Sequence, residues 1–334
     1  MTNIKTLVLI VGPTGVGKTE LALRVAEHVD SPVISCDSRQ VFREIPIGTA
    51  APTAEEQKRV RHYFVGTRSV TEDYSAGQYE RDALALLDDL FRTHDVLVMT
   101  GGSMLYADAV CNGLDDLPRV PEQVREMVRA KGLKGEGAKG EGLRWLQSEV
   151  QRLDPDYWET VDRQNPARLA HCVELCLTTG KPYSSLLTKG ANGLKGEGAK
   201  GLKGEGTKGE GRRFRIVKVA LERPREELYE RINRRVEQMM DQGLEQEARA
   251  VYPLRHLPAL QTVGYRELFA YMDGEYDLAR AVELIQQNSR HYAKRQLTWF
   301  RRDKDIHWLD ANNAYETNIH TIDCLLGTGG LQED

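Results

Sequence analysis

The chain has 334 residues, room for one large domain or two ordinary ones, and its 40% hydrophobic content can supply a buried core. A formal net charge of −4 provides no global basic field, so any contact with nucleic acid must come from a local patch. The five cysteines are odd in number and include no Cys-x-x-Cys pair, which argues against a disulfide framework and for a reducing compartment.

An apolar run, Leu7-Val8-Leu9-Ile10-Val11, predicts the first strand. It is too short to read as a signal peptide, and no apolar run approaches the ~20 residues of a membrane span, so a cytoplasmic protein is expected. Directly after it comes Gly12-Pro13-Thr14-Gly15-Val16-Gly17-Lys18-Thr19, and then a helical pattern over 20–29. Strand, glycine-rich turn and helix are the context that a phosphate-binding loop requires. Glycines let successive N–H groups point into one concavity, and the helix start adds its positive end. Lys18 offers a point charge, and the Thr19 hydroxyl is the predicted magnesium ligand. The plainer alternative is a glycine-rich turn with no ligand.

Residues 32–36 predict a second strand ending at Asp37. Residues 75–93 predict a helix with Ala83, Leu84, Leu87, Leu90 and Phe91 on one face. Residues 95–100 predict a third strand, followed by Gly101-Gly102-Ser103. Alternating strands and helices imply a parallel sheet covered on both faces, with its site at the carboxyl ends of the strands. The loop, Asp37 and Ser103 all fall at such ends. As a plain structural residue, Asp37 would be a helix N-cap or turn residue.

From 117 to about 187 the pattern is helical and punctuated by Pro118, Pro121, Pro155 and Pro166, which predicts a helical insertion. Within it, Cys172 and Cys176 stand at helical spacing and read as packing residues rather than metal ligands. A strand over 216–221 follows, then helices over 224–242, 244–252, 264–272 and 278–302. The expected organisation is a core over 1–116 and 212–315, a helical insertion over 117–188, and a tail over 316–334.

Two segments stand apart. Residues 132–142 read GLKGEGAKGEG, and residues 193–211 read GLKGEGAKGLKGEGTKGEG. With their flanks, 131–142 and 189–211, they hold 14 of the 30 glycines, so ordering their backbone is costly and little apolar area offsets it. Both are expected to be disordered insertions; a tether for RNA or a partner is the alternative.

Between Arg212 and Arg235 nine Lys or Arg face four Glu, and residues 290–302 hold five basic and no acidic residues. In the latter stretch aromatics interleave with cations, as base stacking and phosphate contact require; a helix with an aromatic core face and a solvated basic face fits equally. Arg231 and Arg235 share one helix face and could clamp a second phosphate or pair with Glu227.

Taken together, GPTGVGKT, CDSRQVF with IGTAAPT, YSAGQYERDA, TGGSMLY, VGYRE and YAKRQLTWFRR, in this order, resemble the bacterial tRNA dimethylallyltransferases, also called tRNA isopentenyltransferases. The resemblance spans nearly the whole chain except the repeats and the last twenty or so residues. It implies a P-loop NTPase-like α/β core, a parallel sheet flanked by helices, with an inserted helical subdomain that grips the anticodon arm of tRNA. It implies transfer of a dimethylallyl group from dimethylallyl diphosphate to the exocyclic N6 amine of adenosine 37, by a monomer using Mg2+. The loop, Gly12 to Thr19, then holds the diphosphate of the prenyl donor rather than a nucleoside triphosphate, aided by Arg231 and Arg235.

Asp37 resembles the residue that accepts a hydrogen bond from the adenine amine; with Ser103 and Lys18 it makes the expected catalytic set. The expected tRNA contacts are Asp37, Ser38, Arg39, Gln40, Ser103, Arg125, Arg168, Gly264, Tyr265 and Arg266. Three positions depart from the family pattern: Ser103 stands for the usual Thr, and Ala167 and His171 replace a polar residue and an Arg.

The residue chemistry fits independently. An aromatic exocyclic amine is a poor nucleophile, and a carboxylate against its N–H can take the proton. The leaving diphosphate needs fixed positive charge. The target base must leave its stack. The competing classes are a P-loop small-molecule kinase and a noncatalytic tRNA-binding protein. Against the first, the strand over 96–100 ends in Thr-Gly-Gly-Ser without the carboxylate that usually organises magnesium.

Overall fold

The computed structural model describes residues 4–115, 117–132, 140–187 and 213–327. Two compact units appear, one from Met1–Gly113 with Gly204–Asp334 and the other from Leu114–Lys203.

The first unit is built on a six-stranded sheet in the order β3-β2-β4-β1-β5-β6. The strands are β1 (Thr6–Val11), β2 (Val33–Ser35), β3 (His62–Tyr63), β4 (Val96–Thr100), β5 (Arg215–Glu222) and β6 (Ile306–Asp310), and every pairing is parallel. All six residues of β1 are buried, which explains its unbroken apolar run: a parallel strand covered on both faces has no solvent side. Successive side chains alternate between two cores. Leu7, Leu9 and Val11 pack with Tyr79, Ala83 and Leu87 of α3 (Ala76–Leu90) and with Tyr106 and Val110 of α4 (Met104–Asn112). Val8 and Ile10 pack with α1 (Lys18–His28), with Leu228 and Ile232 of α9 (Arg225–Asp241), and with Ile322 of α13 (Tyr315–Leu326).

The stretch beyond 315, expected as a tail, is thus part of the fold up to Leu326. Tyr315, Ile319, Ile322, Leu325 and Leu326 recur at helical spacing and pack on the second core. A third core joins Val41, Phe42 and Ile45 to Val236, α10 (Leu244–Val251), α11 (Tyr265–Met272) and the first half of α12 (Leu278–Phe300).

The second unit carries α5 (Glu122–Gly132), α6 (Glu141–Leu153), α7 (Pro155–Trp158) and α8 (Pro166–Thr179) around its own core of Val128, Leu146, Val150, Leu169 and Val173. Buried Asp154 caps α7 by accepting from Tyr157 N–H (2.9 Å) and holds Ser184 through its N–H (2.6 Å) and hydroxyl (2.8 Å). The thiols of Cys172 and Cys176 stand 4.0 Å apart in the same core.

The first repeat is ordered at both ends, contrary to expectation. Lys131 and Gly132 close α5, and Glu141 and Gly142 open α6. A Cβ on Gly142 would stand 2.5 Å from Gly132 O, and one on Gly132 would stand 2.7 Å from Leu146, so the two helices approach closely there. Residues 133–139 and 188–212, including the second repeat, lie outside the described residues.

Candidate active site

The loop after β1 turns because its glycines allow it. Gly12 sits at φ 141° and Gly15 at φ 80°. A Cβ on Gly12 would lie 2.9 Å from Leu221 O, and one on Gly15 the same distance from the Ile232 side chain. The loop therefore rests directly on β5 and α9. α9 also grips it from outside: exposed Arg231 donates through Nε to Gly15 O (2.9 Å), and half-buried Arg235 donates through Nη1 to Thr14 Oγ1 (3.3 Å). Of the two alternatives for this pair, pairing with Glu227 falls to other residues, since that carboxylate bonds Arg223 and the Asn312 amide.

Lys18 folds back over its own loop, donating to Pro13 O at 2.8 Å. Burial pulls its ammonium down to about 8, Arg235 pushes the same way, and Asp37 opposes them. Burial also lowers Arg235, again opposed by Asp37.

Asp37 follows β2 and fills the turn-residue role considered for it. Its Oδ1 accepts the N–H groups of Arg39 (2.9 Å) and Gln40 (3.4 Å), as in a side-chain-capped turn. Its Oδ2 makes no hydrogen bond among the described residues and lies 3.8 Å from where a Cβ of Gly102 would stand. β4 runs beside β2 and β1 and brings Gly101-Gly102-Ser103 to the same rim. The buried Ser103 hydroxyl accepts Ser38 N–H (2.8 Å) and donates to Ser38 Oγ (2.9 Å), which locks the turn after Asp37 to the end of β4.

Lys18, Arg235, Asp37, Ser38, Gly101 and Gly102 line a cavity of about 450 Å³ in the first unit; the expected site residues Ser103 and Arg231 are not among its lining residues. Its walls carry Lys18, Arg39, Arg235, Arg266 and Arg295, and Asp37 is the one carboxylate among its lining residues. Ser38, Gln40, Thr14, Thr19 and Gly264 line it too, with apolar surface from Val236, Met239 and Ile285. Thr19 is exposed on the wall.

Tyr265 corrects the expected contact set. It is fully buried, its hydroxyl donates to Glu247, and it packs where a Cβ on Gly48 would be. Its side chain has no surface to offer a ligand. Glu247 also accepts the N–H groups of Ile47 (2.8 Å) and Gly48 (2.8 Å), so the pair clamps the loop of 45–51. That loop in turn takes Gln40 Nε2 at Ala50 O (3.0 Å).

The basic–aromatic stretch resolves by face. Phe300 is in the core, Trp299 packs against it, and Tyr292 lines the cavity and donates to Gly102 O (3.4 Å). His291, Lys294, Arg295, Arg301 and Arg302 are exposed. Phe300 is thereby withdrawn from any base stacking, Trp299 is half-buried, and the cations lie on the exposed face.

Arg125, Arg168, Ala167 and His171 belong to the second unit. Arg125 pairs with Glu122 at 3.5 Å, Arg168 and Ala167 are exposed on α8, and His171 meets the Tyr183 ring edge-on at 5.7 Å.

Gln296 is a site residue that motif reading missed. It is 1% exposed and lines the cavity between the two halves of the site. It falls within YAKRQLTWFRR, yet its partners lie 194 and 282 residues away in sequence and nothing local shows what it holds.

Fold and cavity define an α/β protein with a P-loop NTPase-like core, whose cavity is lined by five Lys or Arg side chains and a single carboxylate. The IPP transferase family profile matches residues 40–303. A tRNA dimethylallyltransferase of Porphyromonas gingivalis is 52% identical over 307 residues, covering 92% of this chain and 94% of that protein. One from Phocaeicola vulgatus is 48% identical over 319 residues, covering 95% and 98%. The crystal structure of a tRNA isopentenylpyrophosphate transferase from Bacillus halodurans superposes with a TM-score of 0.66 at 31% identity, covering 97% of this chain and 96% of that one. The chain belongs to the IPP transferase family.

Proposed function

We propose that the protein transfers the dimethylallyl group of dimethylallyl diphosphate to the exocyclic N6 amine of adenosine 37 in tRNA. The observation that carries this reading is the asymmetry of the cavity, five cationic side chains and one carboxylate. A diphosphate needs the first and a weakly nucleophilic amine needs the second.

The loop amides, Lys18 and Arg235 hold the diphosphate, and Arg231 braces the loop from outside at Gly15. The flipped adenine presents its amine to Asp37 Oδ2. The nitrogen lone pair forms a bond to C1 of the prenyl group as the C1–O bond breaks. Its electron pair leaves on the diphosphate, and the amine proton passes to Asp37. Ser103 holds Ser38, and through it the turn that aims Asp37. The exposed Thr19 hydroxyl would hold a magnesium ion, which would supply positive charge against the leaving group. The exposed cations of α12, with Arg39 and Arg266, face the RNA backbone; Arg125 and Arg168 add contacts from the helical unit. Among the described residues no helix is long and apolar enough to cross a membrane.

The test is incubation of purified protein with labelled dimethylallyl diphosphate and unmodified tRNA, then digestion to nucleosides. Label in N6-dimethylallyladenosine supports the reading. Phosphate release from ATP with no prenylated nucleoside would replace it with a kinase.

A further inference from the structure

The loop that would hold the donor and the strand end that would aim the acceptor base are separate pieces of chain. The first follows β1 and the second follows β4, its parallel neighbour, with Ile10 in register with Thr100. One buried carboxamide joins them. Gln296 Oε1 accepts Thr14 N–H at 2.9 Å, and Gln296 Nε2 donates to Gly102 O at 2.8 Å.

The partners dictate the orientation of the amide, because a backbone N–H must meet oxygen and a backbone carbonyl must meet N–H. The fit is close: a Cβ on Gly102 would stand 2.5 Å from Gln296 Nε2, so the carboxamide packs directly on Gly102, with Asp37 Oδ2 nearby at 3.8 Å from the same point. Gly102 precedes Ser103, which holds Ser38. The Thr14 hydroxyl is held by Arg235. A single side chain on α12 thus closes a path from the phosphate loop to the turn that carries Asp37.

We propose that Gln296 is a positioning residue that fixes the spacing between the donor diphosphate and the acceptor amine. This rests on the activity proposed above. Displacement of one substrate by another needs the reacting atoms ~3–3.5 Å apart and aligned, and a misplacement of about 1 Å costs ~10²-fold in rate. Gln296 touches two backbone groups that other residues of the site depend on, so its loss loosens the link between the two loops without removing a charge from either, while the paired strand ends behind them stay joined. Only an amide satisfies both partners. A carboxylate cannot donate to Gly102 O, and a thioether of similar volume offers Thr14 N–H only a weak acceptor and Gly102 O no donor.

The experiment compares the full-length protein with its Gln296→Met and Gln296→Glu variants. Three quantities are measured: single-turnover transfer with saturating donor and tRNA, pyrophosphate affinity, and affinity for unmodified tRNA. Circular dichroism checks the fold. The expected result for Gln296→Met is a rate lowered ~10²-fold, with both affinities within about threefold of the unaltered protein. Gln296→Glu keeps the acceptor for Thr14 and should not restore the rate. A Gln296→Met enzyme as fast as the unaltered one would reduce Gln296 to core filling and overturn the proposal. A rate loss matched by an equal loss of pyrophosphate affinity would make it a donor-binding residue and overturn it as well. If the unaltered protein binds both ligands and forms no prenylated adenosine, the activity itself fails and takes this inference with it.

Discussion

Replacing Asp37 with Asn separates the two jobs that its carboxylate performs. Oδ1 caps the turn through Arg39 and Gln40, and Oδ2 is the proposed base. Asparagine keeps an oxygen in the first place and puts an NH2 in the second, so the turn survives and the base is lost. Asp37→Ala removes both, and loss of a capping side chain costs ~0.5–2 kcal/mol. The Asn variant should therefore melt close to the unaltered protein, and the Ala variant lower. Both should lose the general-base contribution, ~10²–10⁴ in rate. Asp37 is also the negative group that supports the Lys18 and Arg235 charges. At pH 7 Lys18 of the unaltered protein, at about 8, is mostly protonated; loss of the Asp37 charge lowers it further and at the same time removes a repulsion from the donor, so the two effects oppose and pyrophosphate affinity should change little. The assay is single-turnover transfer with saturating tRNA and donor at pH 7, with pyrophosphate titrated calorimetrically with and without magnesium. An Asn variant within threefold of the original rate would refute the base assignment. Donor affinity that collapses only when magnesium is present would make Asp37 an organiser of the ion.

Three further outcomes follow from the geometry. The buried Lys18 ammonium, at about 8 without ligand, must be charged to hold a diphosphate, so donor affinity should be flat below pH 8 and fall toward tenfold per pH unit from 8 to 9.5. Titration of dimethylallyl diphosphate in the absence of tRNA measures it, and a flat profile would contradict the depressed value. Gly48→Ala drives a methyl group into the Tyr265 hydroxyl and should destabilise by ~1–3 kcal/mol, with part of the loss recovered in a Gly48→Ala/Tyr265→Phe double variant. Additive losses in urea unfolding would show that the two residues do not press on each other. Gly142→Ala puts a methyl group against the Gly132 carbonyl and should cost a similar ~1–3 kcal/mol in the helical unit, measured by denaturation; an unchanged midpoint would mean that the helices can part without penalty.

Much of this molecule is legible in the chain, and the illegible part has a physical pattern. The phosphate loop could be read because all its determinants are local: a buried strand, glycines at positive φ, and a lysine at the helix start. Asp37 and Ser103 could be placed at strand ends because a parallel sheet puts its site there. α13 was overlooked although its apolar spacing is regular, since the resemblance stopped short of it. Tyr265 misled in the opposite way. It sits inside a recognisable motif whose Gly264 and Arg266 line the cavity, yet its own hydroxyl clamps a loop through Glu247 and its ring never reaches a surface.

Gln296 marks the deeper limit. Its neighbours in sequence are cations and aromatics that draw attention to RNA, while its own partners lie 194 and 282 residues away. Residues that touch a ligand must carry chemistry that sequence displays as a charge, a hydroxyl or a glycine turn. A residue that holds two loops at a fixed distance needs only one donor and one acceptor in the right place, and many glutamines could supply them. What distinguishes this one is the register of β1 with β4 and the passage of α12 beside both strand ends, which exist only after folding. The machinery that sets spacing in this site is therefore written in the topology, and the machinery that supplies charge is written in the motifs.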